Sequence, residues 1–319
     1  MNVRLATEAM GTRFEVVLTG DDPPRLRTVG EAAIEEIEDW HRRLSLFEPG
    51  SLLSYLNRHA ADRPVKLDDD TFELLVECIE VHAASQGAFD ITVAPIMRAW
   101  GFHKITGAAD SPSSTGEDTP TAAPVGSEFI QLDVDRRTIR FLKPGMAIDL
   151  GGLGKGHALD AAAAVLRENG VECGLLHGGT STVVALGSPP DEDGWRVALK
   201  QEGPSPVVTL RDAALSVSAP HGRTIHMDGE RLGHIIDPNR GSPARGTQLA
   251  AVVGPTARQA DAWSTALLVL GHRPPGLEAG LTTLIAGDER ADPRWKVEGP
   301  ECGIFSIPDC LEEATETTP

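Results

Sequence analysis

The chain has 319 residues, 40% of them hydrophobic, enough to bury the core of one large domain or two small ones. Its formal net charge of -18 and pI near 4.9 repel a nucleic-acid backbone or an anionic membrane surface, so an anionic ligand must meet a local basic group or a metal. The opening residues, MNVRLATEAMGTRFEVVL, place no long apolar run behind a basic start, so neither signal peptide nor membrane anchor is expected, and the expected compartment is the cytoplasm.

In chain order, residues 14–19 (FEVVLT) read as a strand. Residues 25–44 carry Leu26, Val29, Ala33, Ile34, Ile37 and Leu44 at helical spacing, a helix with one apolar face. A second helix starts at Asp69, where acidic residues suit the macrodipole; Phe72, Leu75, Val76, Ile79 and Ala83 form its stripe and Gly87 ends it. Residues 106–127 are rich in Pro, Ser, Thr, Gly and Ala and bury too little to offset ordering entropy, so a flexible insertion is expected. The stretch FIQLDVDRRTIRFL alternates around Asp135, Arg136 and Arg137, a hairpin pattern.

Further strands are expected at 146–150, 174–177, 182–186, 195–199, 207–210 and 249–253, with helices at 155–169 and 256–270. The acidic tail 311–319 is expected to fray. Hairpins mixed with strand–helix alternation predict an α+β fold, mixed β-sheets flanked by helices, in a single domain over residues 1–310. The four cysteines, Cys78, Cys173, Cys302 and Cys310, form no close metal-binding pair and read as ordinary thiols.

Three segments carry chemistry. MAIDLGGLGKGHALD (146–160) runs from an apolar stretch through a glycine-rich turn into a helix, where exposed backbone amides suit a phosphate. It is neither standard phosphate loop: Lys155 is followed by Gly156 rather than Ser or Thr, and one residue rather than two separates Gly154 from Gly156. A tight strand-to-helix connection is the alternative reading of the turn. In QADAWSTALLVLG (259–271), Asp261 and Thr265 share one helix face, which suits hard-oxygen ligation of magnesium; a Thr bonding back to a carbonyl is the alternative. In GHIIDPNRGSP (233–243), His234 is either a proton carrier at a pocket edge or a structural histidine.

Together with MGTRF (10–14), SLLSYLN (51–57) and GAFDITVAP followed by WGF (87–102), these segments stand in an order that resembles the ApbE family of FAD:protein FMN transferases, over nearly the whole chain. The resemblance implies a T-fold-like α+β architecture and a Mg2+-dependent enzyme. Such an enzyme moves the FMN half of FAD to a Thr or Ser hydroxyl of an acceptor flavoprotein and releases AMP.

The same resemblance implies a metal held by Asp261, Thr265 and the Gly154 carbonyl, and FAD contacts from Met10, Asn57, Asp90, Lys155, Asp160, Gly178, Gly179, Ser218 and His234; the reaction's need for a base and for charge neutralisation gives His234 and Lys155 catalytic roles. The chain departs from the family where Gly154 replaces a usual alanine. His177-Gly178-Gly179-Thr180 lacks a usual acid, and Val217-Ser218-Ala219 stands for Thr-Ser-Gly. Hydrolysis of FAD to FMN and AMP, or FAD binding without catalysis, are the alternative functions.

Overall fold

The computed structural model describes residues 1–103, 124–199, 205–220, 222, 224–227, 229–287, 295–300 and 304–306. The tail 311–319 lies outside the described residues, as does the expected insertion between 106 and 123. The last residues of that segment belong to the packed chain: Ser127 is buried and donates its hydroxyl to Asp90.

The described helices are α1 (Pro23–Leu44), α2 (Leu52–His59), α3 (Asp69–Ala84), α4 (Ala94–Ala99), α5 (Gly154–Glu168) and α6 (Ala257–Leu270). At the centre lies an eight-stranded sheet. Its spatial order is Asn2–Ala9, Thr12–Thr19, Gly174–Gly178, Thr182–Leu186, Ala214–Ser218, Leu249–Gly254, Thr282–Ala286, Trp295–Glu298, and every neighbouring pair is antiparallel. The α+β expectation stands. The expected hairpin is present as Ile130–Asp133 paired with Thr138–Phe141.

The inner strands are covered on both faces. Val184 and Leu186 pack with Ile37 of α1 and Leu159 of α5, whereas Val183 and Ala185 of the same strand face Leu199, Val208 and Leu210. Those residues come with the three-stranded sheet of Trp195–Ala198, Val207–Leu210 and Ile304–Ser306. Burial on both sides explains why 182–186 and 249–254 show no apolar–polar alternation, and 282–286 is buried throughout although it opens on Thr282 and Thr283. Thr12–Thr19, next to the edge strand Asn2–Ala9, alternates instead, with Phe14, Val16 and Leu18 turned inward.

Helix α1 starts where Asp22 accepts the Arg25 N–H and prolines occupy the first turn, and it buries Leu26, Val29, Ala33, Ile37 and Trp40. No described helix is long and apolar enough to cross a membrane.

The expected strand at 146–150 is corrected by the structure. Met146, Ile148 and Leu150 are buried, but no neighbouring strand pairs with them. The Asn57 side chain instead donates to the Ile148 carbonyl (2.9 Å) and accepts the Ile148 N–H (2.8 Å), and the Asp149 N–H donates to the Ile91 carbonyl (2.7 Å). Side-chain amide and loop carbonyl thus satisfy backbone groups that a ladder would otherwise serve.

Candidate active site

Two helix N-termini meet at the centre of the site. A Cβ on Gly156 of α5 would lie 2.3 Å from the Ala257 carbonyl oxygen of α6, so only glycine lets the two first turns touch. Each helix then satisfies open N–H groups of the other. Asp160 of α5 accepts the N–H groups of Ala257 (2.8 Å) and Arg258 (2.9 Å), and Asp261 of α6 accepts the Gly156 N–H (3.1 Å).

Asp261 is 3% exposed and fully engaged on one side. Its Oδ1 accepts the Ser216 hydroxyl at 2.9 Å, with the Thr182 hydroxyl at 3.5 Å. Its Oδ2 accepts Gly156 N–H and stands 3.5 Å from Lys155 Nζ. A chain of hydroxyls continues from there: Ser264 donates to Ser216 (3.3 Å), and Ser218 lies 2.9 Å from Ser264 and 3.5 Å from Thr265 Oγ1. Thr265 donates to the Asp261 backbone carbonyl (3.1 Å), the local back-bond weighed as an alternative to metal ligation. The two readings are compatible, because a hydroxyl that donates one hydrogen keeps its lone pairs, and Thr265 lines the cavity.

That cavity has a volume of about 1120 Å³, at the upper end of the range for small-molecule sites. Met10, Asp90, Gly154, Lys155, Gly179, Ser218, His234, Asp261 and Thr265 all line it. Met10 sits with φ 50° and Gly11 with φ 75° at the tip of the hairpin joining Asn2–Ala9 to Thr12–Thr19. A left-handed methionine is unusual, and its N–H is held by His41 Nδ1 at 3.1 Å. Gly179 also needs its positive φ of 64°, and a Cβ there would strike Thr12 Oγ1 at 2.5 Å. His234 follows the Glu230–Gly233 strand and is half-buried, with its ring against Gly222.

Three of the residues expected at FAD do not line this cavity, and the carboxylate of a fourth is engaged in its wall. Asp160 does not line the cavity; its carboxylate caps α6, and burial, only partly offset by those N–H groups, holds its pKa above the usual carboxylate value. Asn57 does not line it either and acts as the clamp on Ile148 described above. Gly178 packs on the Phe14 ring, which a Cβ there would meet at 2.8 Å, and does not line the cavity. Asp90 borders the cavity, but its oxygens accept Thr92 N–H (2.7 Å), Thr92 Oγ1 (2.7 Å), Ser127 Oγ (2.8 Å) and Ser127 N–H (3.2 Å). It organises the wall.

Asp149 and His103 form a pair the sequence did not single out. His103 Nε2 lies 2.8 Å from Asp149 Oδ2, both line the cavity, and Asp149 Oδ1 accepts the Gly151 N–H at 2.7 Å. Burial raises the Asp149 pKa, but the His103 hydrogen bond and charge, the Gly151 N–H and the nearby His234 outweigh it, so the net shift is downward. A carboxylate inside an apolar run just before a glycine turn was the available signal.

A model of the ApbE family matches residues 10–278. A FAD:protein FMN transferase of Klebsiella pneumoniae is 28% identical over 276 residues, which cover 83% of this chain and 77% of the relative. A protein of the same name from Rhodobacter capsulatus is 31% identical over 271 residues, 82% of this chain and 50% of that one. Among solved structures, the ApbE protein of Thermotoga maritima superposes with a TM-score of 0.80 at 26% identity, covering 94% of this chain and 97% of its own. The flavin transferase ApbE of Vibrio cholerae gives 0.76 at 25% identity, covering 95% and 98%. Because the family match takes in the Met10 hairpin tip, the glycine turn, His234 and all of α6, the chain belongs to the ApbE family.

Proposed function

We propose that this protein is a Mg2+-dependent FAD:protein FMN transferase that joins the FMN phosphorus of FAD to a Thr or Ser hydroxyl of an acceptor flavoprotein and releases AMP. The observation that carries this reading is the convergence of Gly154, Lys155, His234, Asp261 and Thr265 on one cavity large enough for a dinucleotide. The names of the relatives point the same way.

The charge of the wall favours a divalent cation. Among the described residues its carboxylates are Asp90, Asp149 and Asp261, and its Lys and Arg side chains are Lys155 and Arg231. A diphosphate adds further negative charge, which a metal at these carboxylates would offset. The Asp261 carboxylate, the Thr265 hydroxyl and the Gly154 carbonyl form an all-oxygen donor set of the hard type that Mg2+ takes. When bound, Mg2+ offsets the charge that develops on the departing AMP phosphate.

In the proposed step the acceptor oxygen attacks the FMN phosphorus, the bond from that phosphorus to the bridging oxygen breaks, and AMP leaves with the bond's electron pair. His234 takes the hydroxyl proton. Lys155 sits at the α5 N-terminus, where ammonium and helix dipole together favour a phosphate oxygen. The remaining contribution is alignment of the two reacting atoms.

The test is Asp261→Ala with FAD, Mg2+ and an acceptor flavoprotein. Loss of AMP release and of acceptor mass gain is expected; a near wild-type rate removes the metal assignment. Free FMN and AMP from the wild type, with no labelled acceptor, would replace transfer by hydrolysis.

A further inference from the structure

We infer that Lys155 is an exchange cation: its ammonium occupies the metal-facing oxygen of Asp261 in the metal-free enzyme and moves to a phosphate of FAD when the metal takes its place. This inference rests on the metal assignment proposed above and deepens it.

The two carboxylate oxygens of Asp261 have unequal duties. Oδ1 is turned into the sheet, where Ser216 donates to it at 2.9 Å and Thr182 stands at 3.5 Å, both fully buried. Ser264, also fully buried, holds Ser216 in turn by a hydrogen bond of 3.3 Å. Moving Oδ1 toward the cavity would strip a buried hydroxyl of its acceptor, which costs free energy. Oδ2 is the oxygen beside the glycine turn: it accepts the Gly156 N–H at 3.1 Å and lies 3.5 Å from Lys155 Nζ. A metal at this carboxylate is therefore bound through Oδ2 alone, and it must approach where the ammonium now stands.

An ammonium and a divalent cation cannot both stay at one oxygen in a half-buried site, because like charges repel strongly where water screening is weak. The Lys155 side chain is 22% exposed and long, so it has room to swing, whereas Asp261 at 4% is fixed. Lys155 is itself part of the cavity wall. The arrangement holds the buried carboxylate paired while the site is empty of metal, and frees an ammonium for the diphosphate when the metal binds. The order of events follows: metal and FAD favour each other's binding through one side chain.

Mn2+ binding to the FAD-free protein, read as the loss of the free Mn2+ electron paramagnetic resonance signal, tests this with Lys155→Met and Ser216→Ala. Exchange predicts that Lys155→Met binds Mn2+ more tightly than wild type, by about tenfold if roughly 1.4 kcal/mol of repulsion is removed, while its affinity for FAD falls. Ser216→Ala, which unlocks Oδ1 without touching the ammonium, is expected to bind Mn2+ more weakly. Equal or weaker Mn2+ binding by Lys155→Met, with clear binding by wild type, overturns the exchange and leaves the metal site standing. No Mn2+ binding by either protein overturns the metal site and the exchange together. Binding by Lys155→Met alone supports exchange in its strongest form.

Discussion

Asp160 and Asp261 are reciprocal caps. Each stands in the second turn of its own helix and accepts backbone N–H groups from the first turn of the other, Asp160 from Ala257 and Arg258, Asp261 from Gly156. Asp160 does not line the cavity, whereas Asp261 also faces it. The site's central carboxylate is thereby fixed by the contact that holds α5 against α6.

Gly156→Ala tests that crossing. The added methyl would meet the Ala257 carbonyl oxygen at 2.3 Å, a backbone atom that cannot rotate away. Overpacking of this kind costs about 1–3 kcal/mol, and separating the helices also withdraws an N–H from Asp261. The expected result is a lower urea midpoint together with weaker Mn2+ binding; unchanged values for both would contradict the geometry.

Asp160→Ala separates cap from ligand contact. Loss of two buried acceptors at the α6 N-terminus is expected to cost about 1–2 kcal/mol, read by urea unfolding. Asp160→Asn, which keeps one acceptor, is expected to lose less. FAD affinity of the metal-free protein should hold in both, since Asp160 does not line the cavity; a large loss there would return Asp160 to the FAD contacts.

Asn57→Leu keeps the size of the side chain and removes the clamp on Ile148. Both the N–H and the carbonyl of a buried residue then lack their partner, at about 1–3 kcal/mol each. The segment leading into the glycine turn loosens. Thermal unfolding should fall, and transfer should lose rate more than FAD affinity.

His157 gives the protein an acid-sensitive core. The imidazole is 6% exposed, stacks edge-on against Trp40 at 4.0 Å, and neither ring nitrogen has a hydrogen-bond partner. Burial first, then the charges of Arg258 and Arg43, push its pKa from 6.5 down to about 3. The unfolded chain therefore binds a proton that the folded one refuses between those values, and stability falls as pH drops through 6.5. From pH 6.5 to 5 the loss is about 1.6 kcal/mol. His157→Phe should remove one proton from the acid slope of unfolding in that window; an unchanged slope would place a charged imidazole in the fold.

Much of this arrangement was legible because the sequence carries single-purpose signals. The apolar stripe of α1 and the runs at 182–186 and 249–253 follow from what each face buries, whereas in α3 Phe72 and Leu75 are buried as expected but Leu74, Cys78 and Val81 complete the buried face and Ala83 is exposed. The 146–150 segment misled because its burial matches a strand, while its hydrogen bonds go to a side chain 91 residues away in sequence. Ala214–Ser218 escaped notice because Ser216 and Ser218 break its apolar pattern; those hydroxyls serve Asp261 and the Thr265 neighbourhood rather than solvent.

For the site, Asp261, Thr265 and the glycine turn were readable as local spacing and as family motifs. The duties of Asp160 and Asn57 were not, because both act on backbone groups that only the fold brings near. His103 and Asp149 likewise meet across 46 residues of chain.

The most direct measurement is intact mass of an acceptor flavoprotein after incubation with this protein and FAD, with Mg2+ or with chelator. The account predicts a mass gain equal to one covalently attached FMN, matched by AMP release, in the Mg2+ sample and not in the chelated one. An acceptor of unchanged mass while FAD is consumed to FMN and AMP, or labelling that ignores the chelator, would contradict it.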